Sequence, residues 1–443
     1  MKIAVYIKDR SVHGDAAFSN MDFRNPQLGN PGIGGTGYEY MLLVYALTKF
    51  SDAEVNLYCY EASNLYPDGV NVHVLHYNAD IVSQVKADGS DLLVLTANES
   101  LGFYDIYERA KEQNLKLIAW SHNYMSHHML KRLADSPAVK RVVMVSHEHY
   151  DCYLDHKIIK KSTYINNMFD GSRLMLRDYP SEPAVTYTGG LYPAKGFHVL
   201  ASMWKDILLE VPDAKLYVIG SGKLYDKNAV LGAYGLADEQ YEASFMQYLT
   251  ENGEILPSVK FLGNLGAEKS EVYYITTAAV VNPTGASETF CISALDAQAC
   301  GVPVVTRAIN GLFETVKHGV TGYLGRNPEE IKNYIILLLK DKQLNIKLGR
   351  QAKDFAGKSF LPEVIVKQWL KLFDDVINDR PCEYIPPSEF RNYGHKRLKI
   401  ANRWLHEHHI PTPAVSVLSG SASAFIKSIS PRLHAALKKL LKR

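Results

Sequence analysis

The chain of 443 residues contains few cysteines, no long apolar run and no large excess of charge of either sign. Its five cysteines are scattered without a C-x-x-C pair, which argues against a disulfide framework and against a zinc knuckle. No stretch approaches the roughly 18 apolar residues that a membrane-spanning helix requires. The N-terminal residues lack the apolar core of a secretory signal peptide, so we expect a cytoplasmic location.

What the sequence does contain is typical of a folded α/β protein. Hydrophobic residues make up 47% of the chain and charged residues 22%, and the net charge is +2. Short apolar runs with little alternation are followed by segments of helical periodicity, which is the order expected of a parallel sheet covered on both faces. This alternation occurs twice, and a stretch with two prolines at residues 177–183 separates the two halves.

The pattern predicts four segments. Residues 1–170 form a first Rossmann-like domain, 171–184 a linker, 185–378 a second Rossmann-like domain and 379–443 a C-terminal helical appendage. Two such domains in series place a cleft between them, and the carboxyl ends of strands from both sheets can face that cleft. The cleft is therefore the predicted binding site.

The appendage carries the most uneven charge in the chain. Residues 408–443 contain six Lys and Arg residues and no Asp or Glu. Within 424–443, apolar residues recur at helical spacing and basic residues fill other positions, which indicates a basic amphipathic helix. Such a helix either docks on the protein with solvated lysines or binds an anionic membrane surface, and the sequence favours neither. The segment lacks any recognised nucleic-acid-binding module, so we expect no nucleic acid as partner.

A glycine-rich motif, Gly32-Ile-Gly-Gly-Thr-Gly37, matches the letters of the G-x-G-x-x-G dinucleotide fingerprint. That fingerprint requires its glycines directly after a strand, whereas about two dozen residues separate this motif from the first predicted strand. A nicotinamide-dependent enzyme is therefore disfavoured. What remains is a loop that opens a helix at Gly37, where free backbone N–H groups favour a phosphate; a turn without a ligand is the alternative.

Two motifs of the second domain carry charge. Lys195 lies in Tyr187-Thr-Gly-Gly-Leu-Tyr-Pro-Ala-Lys-Gly196, on a predicted loop at the carboxyl end of a strand, where a lysine can neutralise a leaving phosphate. Glu288 and Asp296 flank the predicted start of a helix whose free N–H groups suit a diphosphate. Each residue taken singly also has a structural explanation. Lys195 is then a solvated loop lysine, Glu288 a partner of the helix dipole and Asp296 a surface acid.

The motifs together resemble the family 4 retaining glycosyltransferases (glycosyl transferases group 1), which have the GT-B fold of two facing Rossmann-like domains. The elements follow the family's order over residues 1–378, and the ordered series is more specific than any one motif. They are Gly34-Gly35-Thr36, Ser121-His122-Asn123, Tyr164–Asp170, Tyr187–Gly196, Leu216–Gly222, Phe261–Asn264, Glu288–Asp296 in place of the family's E-x7-E, Asn310–Glu314 and His318–Gly322.

The resemblance implies a role for each matching residue, with the acceptor on the first domain and the nucleotide-sugar donor on the second. It implies that His122 hydrogen-bonds a hydroxyl of the donor's sugar. It implies that Lys195 stabilises the leaving diphosphate, that Glu288 holds the transferred sugar and that Asp296 holds the ribose. The residues implied in donor binding are Gly34, Gly35, Thr36, Gly189, Gly190, Asn264, Leu265, Phe290, Cys291, Ile292 and Asp296.

Three positions depart from the family's pattern. Gly190 stands where the family usually has an arginine, so one of two phosphate-binding cations is missing, and another cation, such as Arg307, can substitute for it. Asp296 is one methylene shorter than the family's glutamate, and Cys291 replaces a glycine and narrows the donor pocket. The chain has no D-x-D motif and its histidines show no recognised ligand spacing, so we predict no metal and no separate cofactor.

The function we expect is transfer of a sugar, with retention, from a nucleotide diphosphate sugar to a hydroxyl of a glycan or glycolipid. A UDP-sugar is favoured as donor and a GDP-sugar comes next, in cell-surface polysaccharide assembly at the inner face of the membrane. The resemblance implies no covalent nucleophile, so the protein's part is positioning and charge stabilisation. The alternatives are another GT-B enzyme, such as a nucleotide-sugar epimerase, and a catalytically weak sugar-nucleotide-binding subunit.

Overall fold

The computed structural model describes residues 1–7, 22–30, 34–60, 66–76, 80–98, 101–223, 230–389, 395–410 and 412–415. The first domain is built on a seven-stranded parallel sheet with the order β3-β2-β1-β4-β5-β6-β7. Its strands are β1 Lys2–Tyr6, β2 Glu54–Cys59, β3 Val70–Val74, β4 Leu92–Thr96, β5 Lys116–Ser121, β6 Val139–Met144 and β7 Ser162–Tyr164. Its helices are α1 Gly35–Phe50, α2 Ile81–Ala87, α3 Leu101–Glu112, α4 His127–Asp135 and α5 His147–Asp151.

The first sheet is covered on both faces, as its apolar strands predicted. Ile3 and Val5 of β1 pack in one apolar cluster with α1, whereas Ala4 and Tyr6 pack in a second cluster on the opposite face. Because successive residues of a strand point to opposite faces, a strand buried on both faces is apolar throughout. The helices between the strands supply the covering layers.

The second domain repeats this architecture with six parallel strands in the order β12-β9-β8-β13-β14-β15. Its six strands are β8 Ala184–Thr188, β9 Lys215–Ile219, β12 Val259–Gly263, β13 Ala278–Val280, β14 Val304–Arg307 and β15 Gly322–Gly325. Two further strands, β10 Thr250–Glu251 and β11 Glu254–Ile255, form a separate antiparallel pair. The helices are α6 Phe197–Glu210, α7 Glu239–Leu249, α8 Lys269–Tyr274, α9 Ile292–Ala299, α10 Leu312–Thr315, α11 Pro328–Lys340 and α12 Lys342–Ser359.

The strand order places a switch point in each sheet. In the second sheet the chain runs outward from β8 through β9 to β12 and then returns to the other side of β8 with β13. In the first sheet it runs from β1 to β3 and returns beside β1 with β4. Loops that leave neighbouring strands in opposite directions open a crevice at such a point, which is where sheets of this kind bind ligands.

The helix α13, Pro362–Ile377, falls within the predicted range 185–378 but packs on the first domain. Its Trp369 lies against Trp120 of β5, with ring centroids 4.8 Å apart. Its residue Phe373 belongs to the same apolar cluster as α1. The chain therefore crosses between the domains a second time, and α13 adds a covering layer to the first sheet.

The described part of the appendage docks on the first domain through the helix α14, Lys396–Glu407. Lys396 donates from Nζ to the buried carboxylate of Asp151 at 2.6 Å, and the Asn402 amide donates to Asp155 at 3.0 Å. The basic helix predicted at 424–443 lies outside the described residues. Among the helices in the described part of the chain, each is too short or too polar to cross a bilayer.

Candidate functional site

A cavity of about 200 Å³ opens at the carboxyl ends of the second sheet, beside the switch point between β8 and β13. Its walls come from the loops after β8, β9, β12 and β13 and from the N-terminus of α9, and two residues of the first domain complete it. The lining residues are Asn30, Gly35, Thr188, Gly189, Gly190, Tyr192, Lys195, Ile219, Gly220, Asn264, Leu265, Lys269, Asn282, Glu288, Phe290, Cys291, Ile292, Ser293 and Asp296.

The cavity brings together most of the residues selected from the sequence. Lys195 and Glu288 line it, together with every predicted donor-binding residue except Gly34 and Thr36. Gly34 caps the N-terminus of α1 and Gly35 begins that helix, whereas Gly32 lies outside the described residues. The individual roles stay predictions. Residues more than 250 positions apart in sequence, such as Gly35 and Asp296, nevertheless line the same cavity.

The first charged pair of the cavity joins Lys195 to Glu288. Lys195 ends a short 3₁₀ turn after β8, and its Nζ lies 2.7 Å from Oε2 of Glu288. The same oxygen accepts a hydrogen bond from the side-chain amide of Asn282 at 2.8 Å. Glu288 is largely buried, so this carboxylate is held in place by two donors and keeps its charge compensated in the absence of a ligand.

The second charged pair joins Asp296 to Lys269, a residue that the sequence did not single out. Lys269 begins α8, and its Nζ lies 2.6 Å from Oδ2 of Asp296 in α9. Both side chains are largely buried, with 12% and 6% of their surface exposed. Arg307, suggested as a replacement for the missing arginine, ends β14 and is not among the residues that line the cavity. Lys269, in contrast, does line the cavity.

The N-terminus of α9 lies between the two pairs. Cys291 caps this helix without a side-chain hydrogen bond, and the first turn contains no acidic residue. The amides of the first turn of a helix have no partner within the helix, and the helix dipole adds partial positive charge there. Burial raises the pKa of the Cys291 thiol, with Glu288 as a further cause, so the thiol is neutral at physiological pH. The wall offers donors to an anion rather than a thiolate nucleophile.

The space beside Gly190 is occupied by an aromatic ring. A Cβ atom added at residue 190 would lie 2.2 Å from a ring carbon of Tyr192, which itself lines the cavity. Atoms cannot approach so closely, and any side chain at 190 would have to displace that ring. The phenol ring of Tyr192 therefore occupies the space into which an arginine side chain at residue 190 would extend.

His122, the first-domain residue expected to contact the donor's sugar, lies in a buried aromatic cluster. His122 is buried and lies against Trp120 and Tyr40, with ring centroids 4.4 and 5.9 Å away. Neither ring nitrogen has a hydrogen-bond partner in the described structure. Burial lowers the pKa of His122 to about 3, so the imidazole is neutral at physiological pH. His122 is not among the residues that line the cavity.

Hydrogen bonds from side-chain hydroxyls to backbone carbonyl oxygens connect the aromatic cluster around His122 to the loop that carries Glu288. The hydroxyl of Thr289 donates to the carbonyl oxygen of His122 at 2.5 Å, and Ser146 donates to the carbonyl oxygen of Thr289 at 2.7 Å. Tyr124 donates to the carbonyl oxygen of Glu288 at 3.3 Å. The first domain thus positions the Glu288 loop even though it contributes little of the cavity surface.

The part of the chain that the structure describes shows no cluster of side chains arranged as a metal site. No group of three or more His, Cys, Asp or Glu side chains there is placed to hold a metal ion. The polar groups that converge on the cavity are lysines, carboxylates, amides and backbone N–H groups. Such a set binds phosphates and hydroxyls directly.

Comparison with known proteins identifies the second domain. Residues 176–355 match the sequence model of the family described as glycosyl transferases group 1. N-acetyl-alpha-D-glucosaminyl L-malate synthase of Bacillus anthracis is 26% identical over 201 residues, which are 45% of this chain and 47% of that protein. The matched segment thus spans about half the length of this curated relative.

Solved structures extend the likeness across both domains. Sucrose-phosphate synthase from Thermosynechococcus elongatus superposes with a TM-score of 0.62 at 19% identity, over 85% of this chain and 99% of that one. HepE of Anabaena, in complex with UDP and glucose, superposes with a TM-score of 0.60 at 18% identity, over 85% of this chain and all of that one. At such identities the likeness establishes the fold. The chain therefore has the GT-B fold, and residues 176–355 of its second domain are similar to the glycosyl transferases group 1 family.

Proposed function

We propose that the protein transfers a sugar, with retention, from a nucleotide diphosphate sugar to a hydroxyl of an acceptor. One observation carries the proposal: a single cavity holds two lysine–carboxylate pairs on either side of a helix N-terminus. A nucleotide sugar brings two hydroxyl-bearing rings, the sugar and the ribose, joined by a diphosphate. Carboxylates suit the hydroxyls, and lysines with free amides suit the diphosphate between them.

Binding of such a donor exchanges partners within each pair. A hydroxyl of the sugar donates to Glu288 and takes the place of Lys195, which is then available to the diphosphate. Asp296 accepts in the same way from the ribose. After the exchange each buried carboxylate still accepts a hydrogen bond and Lys195 still faces an anion, which favours a site that is preorganised before the ligand enters.

The chemistry that follows needs no nucleophile from the protein. The bond between the anomeric carbon and the diphosphate oxygen breaks, and the bonding electrons remain on the departing oxygen. Lys195 and the amides of α9 stabilise that developing charge. The acceptor hydroxyl attacks the same face of the sugar, and its proton passes to the departing phosphate oxygen. Retention of configuration follows because entering and leaving groups share one face.

We favour a UDP-sugar as donor and a GDP-sugar next. The HepE structure, which shares this fold, contains UDP and glucose. For the acceptor we propose a glycan or glycolipid hydroxyl in cell-surface polysaccharide assembly. We place the protein in the cytoplasm, at the inner face of the membrane, with residues 424–443 as the contact to anionic lipid. Deleting 424–443 should abolish co-sedimentation with anionic liposomes, and unchanged co-sedimentation would contradict the membrane contact.

Gly190 supports a second candidate, a catalytically weak sugar-nucleotide-binding subunit. With an aromatic ring beside residue 190 instead of a guanidinium, stabilisation of the leaving group rests on fewer cations. A nucleotide-sugar epimerase would use the same donor site. The three candidates agree on nucleotide binding and differ in whether a sugar reaches an acceptor.

A thermal-shift screen against UDP, GDP, ADP, dTDP, CMP and NAD, without added metal, tests the shared step. A ligand at a hundred times its dissociation constant stabilises the protein by about 2.7 kcal/mol, which raises the unfolding midpoint by a few degrees. We expect the shift with one nucleoside diphosphate, weakened in Asp296→Asn and retained in the matched variant Asp206→Asn, whose carboxylate pairs with Lys332 outside the cavity.

An activity assay on the same protein preparation then distinguishes the three candidate functions. Incubation of the responding nucleotide's sugars with candidate acceptors should yield glycosylated product and free nucleoside diphosphate. Binding without release of nucleoside diphosphate would favour the binding subunit, and conversion of the donor to its epimer would favour the epimerase. A shift with NAD alone, or with no nucleotide, would overturn the proposed function.

A further inference from the structure

Among the residues that the structure describes, four charged side chains line the cavity, and the sum of their charges shows what Lys269 contributes. Lys195, Glu288 and Asp296 alone leave one net negative charge, which repels a diphosphate. Lys269 brings the four to neutrality, and the N-terminus of α9 then adds about half a positive charge. The electrostatic potential in the cavity is therefore favourable for an anion only when the charge of Lys269 is included.

We propose that Lys269 contacts the donor's diphosphate and supplies the cation that is missing at residue 190. This inference rests on the proposed function, since it assumes a nucleotide diphosphate in the cavity. Lys269 already lines the cavity, and its Nζ lies 2.6 Å from Oδ2 of Asp296. When the ribose hydroxyls occupy Asp296, Lys269 loses that partner and turns to the adjoining phosphate.

The arrangement at Gly190 explains why the cation comes from α8. Tyr192 fills the volume into which any side chain at residue 190 would project, with a ring carbon 2.2 Å from the position of a Cβ atom. A cation therefore has to reach the cavity from elsewhere. Lys269 does so from the first residue of α8, and its largely buried chain restricts it to this direction.

A different role for Lys269 makes a different prediction. If it only neutralises Asp296, removal of both charges together leaves phosphate binding intact. If it contacts phosphate, the loss persists in the double variant. The ratio of the dissociation constant for a nucleoside to that for its diphosphate isolates the phosphate contribution, because changes at the ribose affect both ligands alike.

The test measures binding of UDP and of uridine by titration calorimetry, with GDP and guanosine in parallel. The variants are Lys269→Met, Lys269→Arg and Lys269→Met/Asp296→Asn, with Lys332→Met as the matched control. Lys332 is also a paired, mostly buried lysine of the second domain, with 18% of its side chain exposed, but it lies outside the cavity. Charge-assisted hydrogen bonds to phosphate contribute enough that we expect the diphosphate to bind about tenfold more weakly in Lys269→Met.

The expected pattern is specific. The nucleoside-to-diphosphate ratio falls about tenfold in Lys269→Met, stays low in the double variant, and is largely restored by Lys269→Arg and unchanged in Lys332→Met. An unchanged ratio in Lys269→Met, or recovery in the double variant, overturns the inference while nucleotide binding by the unaltered protein leaves the proposed function standing. If the unaltered protein binds neither UDP nor GDP, the proposed function fails and the inference fails with it.

Discussion

The two sides of the cavity differ in what they present to a ligand. The second-domain side carries two ion pairs and a helix N-terminus, all within hydrogen-bonding reach of the space. The first-domain side contributes Asn30 and Gly35, and behind it His122 lies neutral among aromatic rings. One side is thus built from compensated charges and the other from close packing.

This difference indicates a division of labour between the domains. Charge that can be exchanged for ligand hydroxyls and phosphates belongs to the second domain, which is also the part that matches the family model. The first domain acts on that site through packing, through hydrogen bonds that Ser146 and Tyr124 donate to the backbone of residues 288 and 289, and through the hydrogen bond that Thr289 donates to the backbone of His122. Substitutions in the first domain should therefore mainly lower the stability of the protein, whereas substitutions in the second-domain site should mainly lower its activity.

The largest effect on stability should follow Trp369→Ala in α13. Trp369 is fully buried against Trp120, and removal of a buried aromatic ring of this kind costs about 3–5 kcal/mol. Urea unfolding measures the change, with Val364→Ala on the exposed face of the same helix as control. A loss below about 1 kcal/mol would show that the aromatic packing does not hold the first domain to α13.

Lys195→Met should leave the fold intact and remove most of the chemistry. Loss of one preorganised donor to developing charge lowers kcat by about a hundredfold to a thousandfold. Glu288 then keeps only its hydrogen bond from Asn282, so we expect a lower unfolding midpoint, and the kinetics are measured well below that temperature. Steady-state transfer kinetics compare it with Lys332→Met, and comparable rates in the two variants would remove Lys195 from the proposed mechanism.

Gly220→Ala tests whether the second-domain side depends on close backbone packing as well as charge. Gly220 has φ of 140°, and a Cβ atom there would lie 1.9 Å from the carbonyl oxygen of Gly189. Gly253 has φ of 85° with no atom within 4 Å of an added Cβ, so Gly253→Ala isolates the backbone cost. We expect Gly220→Ala to lose an additional 1–3 kcal/mol, roughly, by urea unfolding, and to weaken UDP binding. Equal losses in the two variants would contradict that packing.

The sheets and the main site motifs were predictable because their signals are local. Buried strands are continuous apolar runs, and α9 begins at Ile292, where the sequence placed it. Helix α7 was missed, since its apolar positions are interrupted by charged and polar residues within a short segment. Helix α12 was missed for a related reason, being mostly polar over its whole length.

The parts that could not be predicted depend on distant partners. Lys269 resembles any lysine at a helix start until the fold places it beside Asp296, 27 residues away in sequence. The missing arginine at Gly190 is visible in the sequence, but the ring of Tyr192 beside it is a matter of three-dimensional packing. The docking of α13 on the first domain is likewise decided by which apolar surface remains uncovered, which no local pattern records.

The smallest effect should appear as a change in pH dependence at His122. Its pKa is lowered to about 3 in the folded protein by burial, against an ordinary value near 6.5 in the unfolded chain. Below about pH 6.5 the unfolded chain binds a proton that the folded protein does not, so stability falls as pH falls. The contribution amounts to about 1.4 kcal/mol per pH unit between about pH 6 and pH 4.5, until carboxylates begin to titrate.

Urea unfolding of His122→Gln at pH 7.5, 6 and 5 should therefore give a shallower loss of stability toward acid than the unaltered protein. Whatever packing is lost in the variant shifts all three values together, so the slope alone reports the histidine. His408→Gln is the control, because His408 is exposed in the folded protein as it is in the unfolded chain. An unchanged slope in His122→Gln would mean that the aromatic cluster around His122 admits a charged imidazole. The contrast between a charged second-domain side and an uncharged first-domain side would then no longer hold.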